Sequence, residues 1–286
     1  MFSDYKFLKM RDGIELSVNI KETGSPVWII VTHGIGEHME RHKYMTDLFG
    51  QDFNVFRYDL RGHGRSTGRR AYVEDFSLYM EDLREIIRFL HQKYRMGRFA
   101  LFGHSMGALI SASFVQNFVE EELYPELLVL NAPPTGMPGA IGSFLKLLPG
   151  SAIPSACKLP ITLPVGGLVD LNFLSHDPRV KEDYLKDELN SLKLETKLLL
   201  ELVKTSQDTF SRPLRSRAKN FVSIGDGDRV VSYKDAINYF NSIDKSFKLT
   251  VIDGAYHEIH NEIEKYRKPY FDYLKNTFND MLFTKE

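Results

Sequence analysis

The chain has 286 residues, 37 basic against 38 acidic for a net charge of −1, with 43% hydrophobic and 26% charged residues. That is an ordinary globular make-up with room for a sizeable core, and its near-neutrality excludes a global basic field for nucleic acid or an anionic membrane surface. Cys157 is the sole cysteine, so no intrachain disulfide can form. With no apolar leader in "MFSDYKFLKMRDGIELSVN" and no membrane-length apolar run, the expected location is the cytoplasm.

In chain order, runs around 5–10 and 14–20, joined by "RDG", predict an antiparallel hairpin. "VWIIVT" (27–32) predicts a strand buried on both faces, being short, apolar throughout and rich in β-branched residues. "HGIGEH" follows as a loop that Gly34 and Gly36 leave free to turn. "FNVFRYD" (53–59) is a second strand, followed by "RGHGRSTGRR" (61–70). That segment lacks the Lys-Ser/Thr ending of a phosphate loop and reads as a loop tied down by arginine and aspartate. Over 75–95, Phe76, Tyr79, Met80, Leu83, Ile86, Ile87 and Leu90 recur at three- and four-residue steps, the period of an amphipathic helix. "RFALFG" (98–103), a helix over 106–119 and "LLVLNA" (127–132) continue the alternation. It breaks at "APPTGMPG" (132–139), passes through prolines 149, 154, 160 and 164, and turns helical from about 178 to 205. "NFVSIG" (220–225), a helix over 232–243, "KLTVID" (248–253) and a helix over 261–283 resume it.

This alternation predicts an α/β fold with a mostly parallel, doubly wound central sheet and helices on both faces. Residues 1–132 and 213–286 form the core, and 133–212 an inserted, largely helical cap over the C-terminal edge of the sheet. The apolar run "AIGSFLKLLPGSAIP" (140–154) either packs internally or lines an acyl-chain tunnel and touches a membrane.

The frame Gly103-His104-Ser105-Met106-Gly107 falls on the turn between a predicted strand and a predicted helix. A serine that merely caps the helix fits this frame. So does a nucleophile, because the sharp turn holds the side chain exposed above the sheet, and glycines permit both the strain and the close packing. A serine hydroxyl needs an adjacent base oriented by a third group. "SIGDGDRVVS" and "IDGAYHEIH" follow the last two predicted strands in the order serine, acid, histidine. His257 is the expected base and Asp228 the expected acid, with Asp226 the fallback. An ester carbonyl attacked here would place its oxyanion on the backbone N–H groups of Met106 and Ile35.

Together "HGIGEH", "YDLRGHGRSTGRR", "GHSMG", "SHDP", "GDGDR" and "GAYHEIH" resemble the monoacylglycerol lipase and lysophospholipase group of α/β-hydrolases, in order and over nearly the whole chain. The resemblance implies an α/β-hydrolase fold, a Ser105–Asp228–His257 triad and an oxyanion hole at Ile35 and Met106. It also implies a polar pocket for the glycerol end of the substrate at Glu37, Arg41 and His260. A small lipid ester is the implied substrate; no cofactor and no metal are expected, and the apolar run of the cap gives the expectation of peripheral membrane contact. Ala108 departs from the group, many members having a second glycine there, a change expected to touch helix packing more than chemistry.

Rivals on the same scaffold are a lysophospholipase or general carboxylesterase, a prolyl-type aminopeptidase, and a non-catalytic binding protein. Epoxide and haloalkane hydrolases place a carboxylate where this chain has Ser105. "HEIH" (257–260) is one residue short of the His-Glu-x-x-His zinc spacing.

Overall fold

The computed structural model describes residues 6–139, 142 and 147–283. Ala140, Ile141 and residues 143–146, among them Phe144 and Leu145 of the apolar run, lie outside the described residues. Strands β1 (Lys6–Lys9) and β2 (Glu15–Lys21) form the antiparallel hairpin on one edge. Beyond them come β3 (Val27–Thr32), β4 (Asn54–Tyr58), β5 (Arg98–His104) and β6 (Leu127–Asn131). The order across the sheet is β1-β2-β4-β3-β5-β6-β9-β10, where β9 is Lys219–Gly225 and β10 Phe247–Ile252. From β4 to β10 every neighbouring pair is parallel, while β2 meets β4 antiparallel.

Burial on both faces explains why the inner strands read as unbroken apolar runs. In β3, Val27, Ile29 and Val31 face one layer and Trp28 and Ile30 the other, all buried. The first layer holds α1 (Lys43–Phe49), through Met45 and Phe49, and the C-terminal helix Glu264–Phe283. That helix presents Tyr270, Leu274 and Phe278 at four-residue steps, all fully buried. Burying Leu274 and Phe278 contributes about 1.5–3 kcal/mol each over leaving them in water. The second layer holds α2 (Ser77–Tyr94) and α3 (Met106–Asn117). The α2 residues predicted from periodicity (Tyr79, Met80, Leu83, Ile86, Ile87 and Leu90) form its buried face.

The strand order fixes where a ligand can enter. β3 leads to α1 in one layer, and its neighbour β5 leads to α3 in the other. The loops leaving these two carboxyl ends therefore diverge and open a crevice, the position open α/β sheets use for ligands. "HGIG" leaves β3 there, and Ser105 leaves β5.

Between β6 and β9 the chain forms helices α4 (Ala152–Cys157), α5 (Pro178–Lys186) and α6 (Thr196–Thr209). It also forms a separate two-stranded sheet, β7 (Pro164–Gly166) with β8 (Lys193–Glu195). The helix expected from about 178 to 205 is thus two helices with β8 between them. The Asp177 carboxylate accepts from Arg179 N at 3.0 Å and Pro178 occupies the first turn, a conventional helix start. After it, Leu189 N bonds back to Asp187 Oδ1 at 2.9 Å, turning the chain away from the helix axis. The expected helix over 232–243 is α7 (Tyr233–Asn238), continued to Ile243 as a wider π turn.

Candidate active site

Ser105 has φ 52° and ψ −117°, in the left-handed half of the map where side chains other than glycine are rare. The surroundings hold it there. Its N–H bonds to Asn131 O on β6 at 2.9 Å, and its C=O accepts from Ala108 N and Leu109 N. A Cβ on Gly103 would stand 2.3 Å from Gly107 O, and one on Gly107 would stand 2.2 Å from Thr32 O. Both glycines are therefore demanded by the close approach of α3 to β5 and β3. Ala108 is fully buried in that same contact.

His257 lies past β10 and is buried, with Nδ1 2.7 Å from Asp228 Oδ2. A carboxylate only accepts, so Nδ1 carries the proton and Nε2 keeps its lone pair. The other Asp228 oxygen accepts from Val230 N at 2.7 Å and Val231 N at 3.0 Å. Asp226, the fallback acid, instead accepts from Gly254 N at 2.5 Å and ties the β9 loop to the β10 loop. Burial by itself would depress the His257 imidazolium. The Asp228 charge and hydrogen bond, with Glu258 and Glu37 behind them, outweigh burial and hold its pKa above the usual histidine value.

The loop after β3 is fixed by its own polar groups. His33 Nε2 accepts from Leu60 N at 2.9 Å, so its Nδ1–H donates to Gly34 O at 2.8 Å. Burial pushes His33 down to about 3, leaving it uncharged. A Cβ added to Gly34 would lie 2.8 Å from Glu37 Oε1 and 3.2 Å from Ser105 Cβ, so this loop passes directly against the serine. Met106 N–H is the first of α3, where no carbonyl one helical turn back exists to receive it. The neighbouring glycine-arginine loop is tied down as its composition suggested. Arg61 makes a fork to both Asp82 oxygens at 2.6 and 2.7 Å and reaches Asp12 at 2.8 Å.

Behind this loop Glu37, Arg41, His42, Glu258 and His260 form a buried polar cluster. Glu37 Oε1 accepts from Gly34 N at 2.6 Å and His42 Nε2 at 2.9 Å, and Oε2 accepts from Arg41 Nε at 3.2 Å. The Arg41 guanidinium also pairs with Glu258 Oε2 and lies 4.8 Å over the Tyr184 ring. Burial opposes the Glu37 charge, but His42 and Arg41 hold its pKa well below the usual value. Burial likewise opposes Glu258, and Arg41 outweighs it, so that pKa also is lowered. His260 stacks on Tyr44 at 4.9 Å between ring centres. Burial keeps His260 well below its ordinary pKa.

A cavity of about 30 Å³ brings Ser105, His257, Ile35 and Glu37 together, with Glu258 in its wall. Of the sequence-expected residues, Asp228, Met106, Arg41 and His260 stand behind that wall. Sequence reasoning missed Glu258, although it adjoins His257. It also missed Leu171, Leu174 and Tyr184, which reach the cavity from the segment after β6. A second, mainly apolar cavity of about 200 Å³ shares Ile35, Val169, Leu171 and Tyr184 with the first and continues along Val165, Leu168 and Leu192. Tyr184 O–H donates to Gly36 O at 2.9 Å, Ser191 N to the same oxygen at 2.7 Å, and His38 meets Asp187 at 2.7 Å. "SHDP" works as a latch: Ser175 Oγ donates to Asn261 O at 3.0 Å, and His176 Nδ1 lies 2.7 Å from Glu262.

The family model described as serine aminopeptidase, S33 matches residues 26–264. A monoglyceride lipase of Mus musculus is 29% identical over 271 residues, covering 92% of this chain and 86% of that one. A monoacylglycerol lipase of Mycolicibacterium smegmatis is 27% identical over 240 residues, 83% of each chain. The crystal structure of Paleococcus ferrophilus monoacylglycerol lipase superposes with a TM-score of 0.79 at 22% identity, over 92% of this chain and 97% of that one, which is a likeness of fold.

Proposed function

We propose, from the premise that this chain belongs to the serine aminopeptidase S33 family of α/β-hydrolases and is a monoglyceride lipase-like ester hydrolase, that it cleaves the fatty acyl ester of monoacylglycerol-type lipids through Ser105, His257 and Asp228. The observation that carries the reading is one cavity wall holding a strained serine beside a histidine whose Nδ1 is bound to a buried carboxylate.

Ser105 Oγ attacks the acyl carbonyl while His257 Nε2 takes its proton. Asp228 holds the tautomer that makes Nε2 the base and steadies the imidazolium. The N–H groups of Ile35 and Met106 receive the developing oxyanion, each such donor being worth about 2.7–4 kcal/mol in the transition state. His257 then protonates the departing alcohol, and water, activated by the same imidazole, releases the fatty acid and frees Ser105.

The apolar cavity beyond Ile35 accepts the acyl chain, and the polar cluster around Glu37 and Arg41 lies on the alcohol side, with His260 beneath it. Residues 133–212 act as the cap: they supply Leu171, Leu174 and Tyr184 to the cavity and are pinned to the core through Gly36 and "SHDP". Of eleven large apolar side chains exposed among the described residues, seven belong to this segment, including Ile161 and Leu163, which supports peripheral contact with a lipid surface. Among the described residues no helix is long and apolar enough to cross a membrane.

The family's description favours a second reading, an aminopeptidase on the same three residues, but that reading leaves the apolar cavity without an occupant. The test is hydrolysis of 1-lauroylglycerol beside proline p-nitroanilide by wild type and Ser105→Ala. Ester turnover lost in the variant supports the proposal; arylamide turnover without ester turnover refutes it.

A further inference from the structure

Glu258 has no role in the reaction just described, yet it forms part of the cavity wall beside Ser105 and His257 and is only 3% exposed. Its direction is set by the backbone. His257 N bonds to Phe173 O at 3.3 Å and Glu258 N to Leu174 O at 2.8 Å, so this segment is strapped to the cap on the side where Leu171 and Leu174 line the cavity. Arg41 and Asn261 Nδ2 both donate to Glu258 Oε2, the latter at 2.8 Å. Among the described residues none donates a hydrogen bond to Oε1.

Both Glu37 oxygens have donors, and the Tyr184 hydroxyl donates to Gly36 O. His104 is pushed down to about 4 by burial, so it is uncharged, and its Nδ1 lies 2.6 Å from Asn131 Oδ1. Arg41 lies behind the wall, shared between two carboxylates, so Glu37, Glu258 and Arg41 together carry one negative charge. Among the described residues, those lining this side offer a substrate the Glu258 acceptor and include no lysine or arginine.

Resting on the reading of Ser105 as the nucleophile of an ester hydrolase, we infer that Glu258 is the residue that selects the leaving alcohol. Its Oε1 accepts a hydrogen bond from a free hydroxyl of a neutral polyol, and its charge turns away an alcohol that carries a phosphate. A glycerol-type alcohol brings hydroxyl donors to that oxygen, whereas a phosphate brings only acceptors and negative charge to an anionic wall.

The experiment compares kcat/KM for 1-lauroylglycerol and for 1-lauroylglycerol 3-phosphate, both below their micelle concentrations, in wild type and Glu258→Gln. Wild type is expected to prefer the neutral ester by about a hundredfold or more. In E258Q the amide oxygen stays with Arg41 and an amide N–H faces the cavity, replacing a charged acceptor with a neutral donor. The preference should then shrink by about tenfold or more, through slower neutral turnover and faster phosphate-ester turnover. The melting temperature and the rate of Ser105 phosphonylation by an uncharged fluorophosphonate report whether E258Q is folded and its serine intact. A wild-type ratio near one, or a folded E258Q with the ratio unchanged, overturns the inference while leaving the ester-hydrolase reading in place. If E258Q does not fold, the wild-type ratio decides alone. Failure of wild type to cleave either ester, with Ser105 unlabelled, overturns the underlying reading and the inference with it.

Discussion

Replacing Asp228 by Asn changes one oxygen for an amide nitrogen at nearly constant volume, and the structure dictates how that amide must sit. Asp228 Oδ1 accepts from Val230 N at 2.7 Å and Val231 N at 3.0 Å, two backbone donors that only an oxygen can satisfy. The amide oxygen therefore stays on that side, and its NH2 faces His257 Nδ1, now occupying the position of the oxygen 2.7 Å away. Two donors cannot meet, so His257 moves its proton to Nε2 and offers Nδ1 as an acceptor. The nitrogen that should take the Ser105 proton is then already protonated. Loss of the correct tautomer in a serine–histidine–aspartate system lowers kcat by about 10⁴, or roughly 5.4 kcal/mol. The assay is steady-state hydrolysis of 1-lauroylglycerol by D228N and D226N, with melting temperatures for both. D228N is expected to melt near the wild type and lose about four orders of magnitude in kcat. D226N, which loses only a tie between two loops, should keep most of its activity. A folded D228N above one tenth of wild-type activity, or a larger catalytic loss in D226N, refutes the reasoning.

The base must be uncharged to act, and His257 has its pKa raised above the usual histidine value by Asp228, Glu258 and Glu37 against the effect of burial. Activity should therefore fall as pH drops through a midpoint above about 6.5; a kcat/KM profile with its acid limb below that value contradicts the assignment. The same shift gives the sign for stability: the protonated His257–Asp228 pair contributes fully below the unfolded-state value near 6.5, and that contribution is lost as pH rises through the higher folded value. Gly34→Ala would push a methyl to 2.8 Å from Glu37 Oε1 and 3.2 Å from Ser105 Cβ, displacing the Ile35 N–H. Its kcat should fall about 10²- to 10³-fold, whereas Ile35→Val, which leaves the backbone alone, should hold kcat within about threefold; equal effects in the two variants would show that Ile35 N–H is not an oxyanion donor.

How much of this was legible beforehand follows from the range over which each signal acts. The inner strands announced themselves because two-sided burial leaves no room for polar residues, as in "VWIIVT". Ser105 was legible because the elbow needs glycine two residues before and after it, and the Cβ clashes at Gly103 and Gly107 are the physical content of that spacing. Asp228 was the expected acid and Asp226 the fallback, but both follow β9, and it is folding that turns one toward Gly254 and the other toward His257. Tyr184, Leu171 and Leu174 gave no local sign, since their place depends on contacts with Gly36 and with residues 257–258, far away in the chain. The short pairing of β7 with β8 is hidden for the same reason, three residues on each side holding no periodicity to read. Glu258 could have been noticed beside His257, but an acidic residue in "HEIH" looks like any loop residue until Arg41 is found against it.

The central claim is that Ser105 is the nucleophile, and covalent trapping tests it most directly. The protein is treated with a stoichiometric, uncharged alkyl fluorophosphonate, followed by intact mass and peptide mapping, in wild type, Ser105→Ala and His257→Ala. The account predicts one adduct per chain, on Ser105, formed in step with loss of 1-lauroylglycerol hydrolysis, absent in S105A and greatly slowed in H257A. An unmodified Ser105 in an enzyme that still turns over the ester, or an adduct on another residue that abolishes turnover, would contradict it.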